Sequence, residues 1–522
     1  MLEFELSSEE LRKAFHSLKP NKSEGIDEIH VNIIKSIYEF VEEPLYFIFN
    51  HSLKQGIFPN DLKIAKVIPL YKKDEDDIVS NYRPVSILPC FSKILERIMY
   101  NRLYDHLIQN NLLYHKQFGF QRGHSTEHAV VDLVDKILKG FDQNNFTLGV
   151  FIDLSKAFDT VDHNILLQKL EYYGVKKSYL KWFKSYLSER KQGVSYPNGI
   201  SKLKNIICGV PQGSILGPLL FLIYVNDLYL SSKLLNFILF ADDTNLFLTG
   251  KNLKTLFSTM NKELNYVTDW LKANKLSINI SKTQYILFMK PSQTDNIPLK
   301  LPNLKIDRSS IKRARSTKFL GVIIDEHINW KEHINLIKSK VSKNLGVMYK
   351  TKNFLDQNCL KKLYFSFIHT YLNYCNMAWA SNFKTHLKKL YTTQRKASII
   401  IMNKDIHAES RPLMKNLSIL NVYQINIFQI VLFMYKLKNG KLPKVFRTQF
   451  SCINHKYWTR YSVNNYVIPR TKLRKTDFAL THRGPELWNQ IPHDMKSLES
   501  FETFKSRLKQ LLLSSTTEKS HF

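Results

Sequence analysis

Apolar and polar positions along the chain follow two regimes that meet near residue 325. Before that point helical and extended periods are mixed. Residues 3–19 (EFELSSEELRKAFHSLK) carry apolar residues at helical spacing behind Ser7 or Ser8, with glutamates in the first turn, which predicts an N-capped amphipathic helix. A turn over 21–25 leads to a second helical stretch near 29–53, and 64–70 reads as a strand. Pro84 and Pro89 fence a short extended piece ahead of another helix. Residues 118–125 (FGFQRGHS) form a glycine-bearing turn, 126–139 a helix, and the near-continuous apolar run 147–154 (TLGVFIDL) a buried strand. Helical spacing returns over 164–187. Residues 236–248 (NFILFADDTNLFL) predict strand, tight turn, strand, because two apolar runs flank the polar turn formers. This order suits mixed α and β around a sheet rather than a regular βαβ alternation. Beyond 325 the stretches 331–349, 356–373, 384–402, 415–440 and 497–513 are helical in period, and 441–485 look irregular and basic.

Charge divides at the same place. Residues 1–300 hold 37 Lys and Arg against 32 Asp and Glu, whereas 301–522 hold 39 against 13. A second half this basic favours a polyanion as partner, since neutralised phosphates release counterions. Five scattered cysteines without a CxxC pair argue against a zinc site or a disulfide framework. The longest apolar run, 215–225, is too short to span a bilayer and contains Pro218. No signal peptide is visible, so a soluble, intracellular protein with no membrane partner is expected.

Candidate chemistry centres on Asp242 and Asp243, adjacent in the predicted hairpin turn, where a hard cation would find oxygen ligands or where two solvated aspartates would simply cap a turn. Asp153 ends the 147–154 strand, and Asp159 follows it. Three carboxylates at one locus repel unless a cation joins them, so the cluster makes sense mainly with metal bound. The stretch 209–219 (GVPQGSILGPL) supplies glycines for close backbone approach and Gln212 as a neutral donor and acceptor, or else caps the following helix.

FIDLSKAFDTVDH, GVPQGSILGPLLFLIYVNDL and FADDTNLF, in this order and spacing, resemble the palm motifs of reverse transcriptases, closest to those of non-LTR retrotransposons of the jockey and chicken-repeat type. NYRPVSILPCFSKILERIM and FGFQRGHST resemble fingers segments, KLSINISKTQYILF the motif after the catalytic hairpin, and KFLGVIID a primer grip. LYFSFIHTYLNYCNMAW and GPELWNQIP resemble the C-terminal region of such elements, so the likeness covers nearly the whole chain.

The resemblance implies an α+β right-hand polymerase fold, with fingers, a palm built on an antiparallel sheet, a helical thumb and a basic, mainly helical C-terminal region. The expected divisions are 1–50 as an N-terminal helical segment, 51–325 as fingers and palm, 326–405 as thumb, and 406–522 as the basic region. It implies Asp153, Asp242 and Asp243 as metal-binding catalytic carboxylates, holding two Mg2+ ions with Mn2+ as a substitute. Asp159 suits a structural role better. Phe158 would lie under the sugar, or be a core aromatic; Gln212 and Gly213 would line the incoming nucleotide. Arg83 and Lys72 would hold the triphosphate, and Lys282 would protonate pyrophosphate, against the plainer reading of each as a surface cation. Phe319, Leu320 and Gly321 would support the primer end, and Tyr457, Trp458, Arg460 and Tyr461 could stack on single-stranded bases. Partners would be an RNA template, a DNA primer or target, and deoxynucleoside triphosphates; oligomeric state is left open. Elements of this type place an endonuclease ahead of the polymerase, and this chain starts at the pre-polymerase helices, so a separate or missing endonuclease is expected. Nuclear residence is a family expectation after cytoplasmic synthesis; the KRAR at 312–315 is too short to prove import. A non-catalytic nucleic-acid-binding remnant and an RNA-dependent RNA polymerase are the rival readings. Ala241 and Phe158 favour the reverse transcriptase over the second.

Overall fold

A computed structural model describes residues 5–20, 23–72, 75–382, 384–405, 407–453 and 464–514. The part before residue 325 is organised on a five-stranded sheet in the order Lys312–Arg313, Gln284–Phe288, Phe146–Ile152, Asp243–Gly250, Asn236–Phe240. All pairs are antiparallel except the short outer Lys312–Arg313 strand. The central strand is buried at every position, which explains its unbroken apolar sequence: both faces are covered. Leu148, Val150 and Ile152 pack on the side of the Gly217–Val225 and Leu253–Ala273 helices. Phe151, Phe247, Ile286 and Phe288 face the opposite layer, built on the Thr126–Asp142 helix. Gly149 belongs to that second face, where an added Cβ would come within 2.7 Å of the Phe247 ring.

A second sheet pairs Ile64–Tyr71 antiparallel with Tyr82–Ile87 and parallel with Arg190–Tyr196. The predicted first helix spans Ser8–His16, and the Ser7 hydroxyl accepts the Glu10 N–H as its cap. Three predicted helical stretches are broken instead, one of them 164–187, which divides into His163–Tyr172 and Lys177–Leu187. The 29–53 stretch divides into Val31–Ser36 and Tyr38–Gln55. The 415–440 stretch divides into Ser410–Asn416 and Val422–Lys438, because Asn421 starts a fresh helix through a capping box with Gln424. Within 441–485, read as irregular, the structure forms helices Lys444–Arg447 and the start of Leu480–Asn489. Residues 457–461 lie outside the described residues.

The apolar core of the second layer runs without a break from Thr126–Asp142 through the Lys331–Thr351 and Lys384–Ile401 helices to Phe501–Ser514. Carboxylates along one helix fasten the C-terminal segment. Asp142 accepts the N–H groups of Lys472 and Leu473, Asp135 those of Leu480 and Thr481, and Asp132 the Gln449 amide. Glu127 accepts the Met377 N–H, and burial pushes the Glu127 carboxyl up to about 7. Lys475 reaches across to the backbone carbonyl of His327 and to Asn329, next to the turn that joins the sheet region to the following helices. Asp135 therefore caps the Leu480–Asn489 helix from a helix some 340 residues earlier. Its replacement by Ala leaves two buried donors unmet, and unfolding free energy should fall by about 2 kcal/mol. Denaturant titration checks this, with Asp135→Asn, which keeps an acceptor oxygen, losing less.

Candidate active site

The hairpin that joins Asn236–Phe240 to Asp243–Gly250 turns in two residues, Ala241 and Asp242, with Phe240 opposite Asp243. Ala241 takes φ +54, a position that a type II′ turn normally gives to glycine. Gln117 supports the strain: its buried Oε1 accepts the N–H of Ala241 at 3.1 Å and of Gly119 at 3.0 Å. A Cβ on Gly119 would stand 2.3 Å from the Ala241 nitrogen, so only glycine lets the 117–121 loop lie this close to the turn.

Asp153 follows Ile152, which pairs with Thr244, so one step further along the same two strands stand Asp153 and Asp243. The 277–283 segment fixes the end of that strand through Asn279 N–H to Asp153 carbonyl at 2.8 Å and Ser155 N–H to Ser277 carbonyl. It also brings the Lys282 ammonium to 3.9 Å from the Asp153 carboxylate. Asp242 and Asp243 are open to solvent at the turn, yet the protein around them takes away much of their water. That desolvation raises Asp242, with Asp153 adding repulsion and Arg83 and Lys72 pulling the other way. Desolvation likewise pushes Asp243 up to about 6, with repulsion from Asp242 and Asp153 behind it. Half-desolvated, mutually repelling oxygen donors suit a hard divalent cation. Among the described residues no three acidic, histidine or cysteine side chains converge closely enough to form a ready-made ion cage.

Lys72 and Arg83 approach Asp242 from the other sheet. Arg83 pairs with Leu70, and the Lys72 N–H bonds the Asn81 carbonyl, which sets both cations at one end of the hairpin. The 209–219 loop joins the two sheets. Its Gln212 carbonyl accepts the Ser86 N–H at 2.7 Å, and Gly213, at φ +124, lies so close that a Cβ would meet the Ser86 carbonyl at 2.3 Å. On its other side the Gln212 amide donates to the Asp159 carboxylate at 2.8 Å, and the Val210 N–H bonds the Phe158 carbonyl. Asp159 thus has the structural task of holding Gln212. Phe158 is half-buried and stacks on the fully buried Phe221. Phe319 lies in the core, whereas Leu320 and Gly321 form the tip of the Ser316–Phe319/Val322–Asp325 hairpin, where Tyr374 Oη donates to the Leu320 carbonyl at 2.7 Å.

Three supporting residues were not singled out from the sequence. Besides Gln117 and Gly119, the buried Glu96 accepts the N–H groups of Ile215 and Leu216 and so anchors the loop ahead of Gly217–Val225. A glutamate at an otherwise apolar helix position was the available signal.

Residues 70–324 match the sequence profile described as reverse transcriptase (RNA-dependent DNA polymerase). Residues 70–324 are therefore a reverse transcriptase domain. Its antiparallel sheet, with Asp153, Asp242 and Asp243 at one end, is the palm of a right-hand polymerase fold. The probable RNA-directed DNA polymerase from transposon BS of Drosophila melanogaster is 28% identical over 79% of this chain and 46% of its own length. The RNA-directed DNA polymerase from mobile element jockey of the same organism is 27% identical over 79% of this chain and 45% of its own. A Pol polyprotein from the type-1 retrotransposable element R1 of Bradysia coprophila is 28% identical over 66% of this chain and 34% of its own. The chain therefore spans just under half the length of the transposon BS and jockey proteins. Among the described residues no helix is long and apolar enough to cross a membrane.

Asp243 yields a signed pH expectation. Its folded pKa of about 6 stands above the ordinary value of 3.8, so its stabilising contribution is complete below pH 4 and is lost as pH rises through 6. Metal-free protein should lose stability across that window. Asp243→Asn should flatten the loss and raise the melting temperature at pH 7, read by thermal denaturation in chelator. An unchanged pH profile in the variant would contradict the repulsion inferred here.

Proposed function

We propose that the chain is an RNA-directed DNA polymerase of a non-LTR retrotransposon, extending a DNA 3′ end on an RNA template by two-metal-ion nucleotidyl transfer. The observation that carries this reading is the meeting of the carboxylates of two neighbouring palm strands with Arg83 and Lys72 from the opposite sheet. In this reading residues 51–325 are fingers and palm, 326–405 the thumb, and 406–522 a basic region behind them, with 1–50 ahead.

Asp153, Asp242 and Asp243 would hold two Mg2+ ions, or Mn2+ in their place; the chemistry supplied when these are bound is activation of the primer 3′-hydroxyl and neutralisation of the departing pyrophosphate. Arg83 grips the triphosphate through its planar fork, with Lys72 adding a point charge. Gln212, fixed by Asp159, and the open backbone at Gly213 line the nucleotide. Phe158 stands under its sugar and excludes a 2′-hydroxyl. Lys282, beside Asp153, gives a proton to the leaving pyrophosphate. Leu320 and Gly321 support the primer end. Lys475 and Lys496 do not join the basic surface that would track nucleic acid: both are packed inward, and burial lowers each to about 8. Nuclear residence would follow from priming on chromosomal DNA. KRAR contributes little to it, since Lys312–Arg313 form an edge strand and Arg313 pairs with Glu326 at 2.9 Å.

Primer extension by the purified chain on an RNA template with a DNA primer, deoxynucleotides and Mg2+ tests the proposal. Incorporation should occur and fall to background in Asp242→Ala, with salt-sensitive RNA binding retained. Arg83→Ala should raise the nucleotide KM roughly 10- to 100-fold, the worth of one or two charge-assisted hydrogen bonds. Binding without any incorporation by the unaltered chain would favour a non-catalytic remnant.

A further inference from the structure

Among the described residues four large apolar side chains hold a left-handed backbone: Phe120 at φ +56, Leu320 at +45, Ile328 at +52 and Trp330 at +62. Ile328 and Trp330 are each 2% exposed, so core burial offsets their strain, and Leu320 shares a tight hairpin turn with Gly321. Phe120 has neither compensation. The residue is 47% exposed, and a strained, solvent-facing phenylalanine needs another reason to stay where it is.

The loop around it is clamped on both sides. Gln117 ties Gly119 to the catalytic turn at Ala241, and the Arg122 N–H donates to the Tyr104 hydroxyl at 2.9 Å while the Arg122 guanidinium lies 4.7 Å over the Tyr104 ring. Between the clamps the Phe120 ring meets the Phe158 ring at 87°, with centroids 6.1 Å apart. Phe158 in turn stacks on Phe221, centroids 4.4 Å apart and planes 24° from parallel. Phe221 is fully buried and cannot yield. The Phe158 ring therefore touches both a fixed ring in the core and a ring that the strained loop projects.

We infer that Phe120 is a positioning residue that holds Phe158 in place and thereby sets how strictly the site rejects a ribose 2′-hydroxyl. This rests on the reading of Phe158 as the residue under the sugar. Phe120 acts through Phe158: without it, the Phe158 ring can swing on Phe221 and leave room for the extra oxygen. The contribution is that of one aromatic pair, so the ratio of kcat/KM for a deoxynucleotide to that for the matching ribonucleotide should fall roughly 3- to 10-fold.

The experiment measures that ratio by single-nucleotide extension of a DNA primer on an RNA template, for the unaltered chain, Phe158→Ala, Phe120→Ala, Phe120→Leu, Phe120→Tyr and the Phe120→Ala/Phe158→Ala pair. A lost scaffold would slow both substrates alike, whereas a mispositioned Phe158 changes their ratio. The inference expects the ratio to fall in Phe158→Ala and in Phe120→Ala, to fall in Phe120→Leu, which keeps the bulk without the ring, and to be retained in Phe120→Tyr. It also expects no further loss in the pair, because the two residues act as one unit. A ratio lowered by Phe158→Ala and untouched by Phe120→Ala overturns the inference while leaving the reading of Phe158 intact. Full additivity in the pair overturns it as well. A ratio unchanged in Phe158→Ala removes the sugar reading itself, and the inference with it.

Discussion

The register between Phe146–Ile152 and Asp243–Gly250 is the constraint on which the site depends. With Ile152 opposite Thr244, the next step along the two strands sets Asp153 beside Asp243, and the hairpin turn adds Asp242. A slip of one residue would exchange the two faces of each strand. That is prevented by packing on both sides: Leu148 and Val150 are matched to one helical layer, and Phe151 and Phe247 to the other. Gly149 fits this register alone, since its missing side chain is the space that the Phe247 and Phe288 rings fill.

Bringing carboxylates together in this way sets the site against the stability of the fold. Asp242 and Asp243 lose water and repel one another and Asp153, with Arg83 and Lys72 as partial relief on Asp242. The turn between them is strained at Ala241 and is tied down by Gln117, whose amide nitrogen is itself left without a partner. Strain and repulsion meet at the residues expected to bind metal and nucleotide. This is the pattern of a functional site on a rigid scaffold.

The basic residues of the C-terminal half fall into two groups that charge alone would not separate. Much of it presents lysine and arginine to solvent, as a polyanion partner requires. The 472–481 segment instead closes on the back of the palm, where Asp135 and Asp142 receive its backbone donors and Lys475 reaches the Asp325–Trp330 turn. The palm and the helices after it share one apolar core as a result.

The local sequence determined the elements and the chemistry. Alternating and continuous apolar runs specified the strands, Ser7 or Ser8 marked the first cap, and the aspartates, glycines and Gln212 carried their own reactivity and conformational limits, all properties of residues and near neighbours. Folding decided which of these meet. Nothing in the sequence around Gln117 announces that it accepts a backbone donor more than a hundred residues away, and the glutamate among apolar neighbours at Glu96 does not say which donors it takes. The break at Asn421 came from a cap that competes with an uninterrupted apolar period. Lysines that look alike in composition became surface charge or buried staples according to what packs above them. Contacts of that kind depend on the arrangement of whole layers, and so only the tertiary structure settles them.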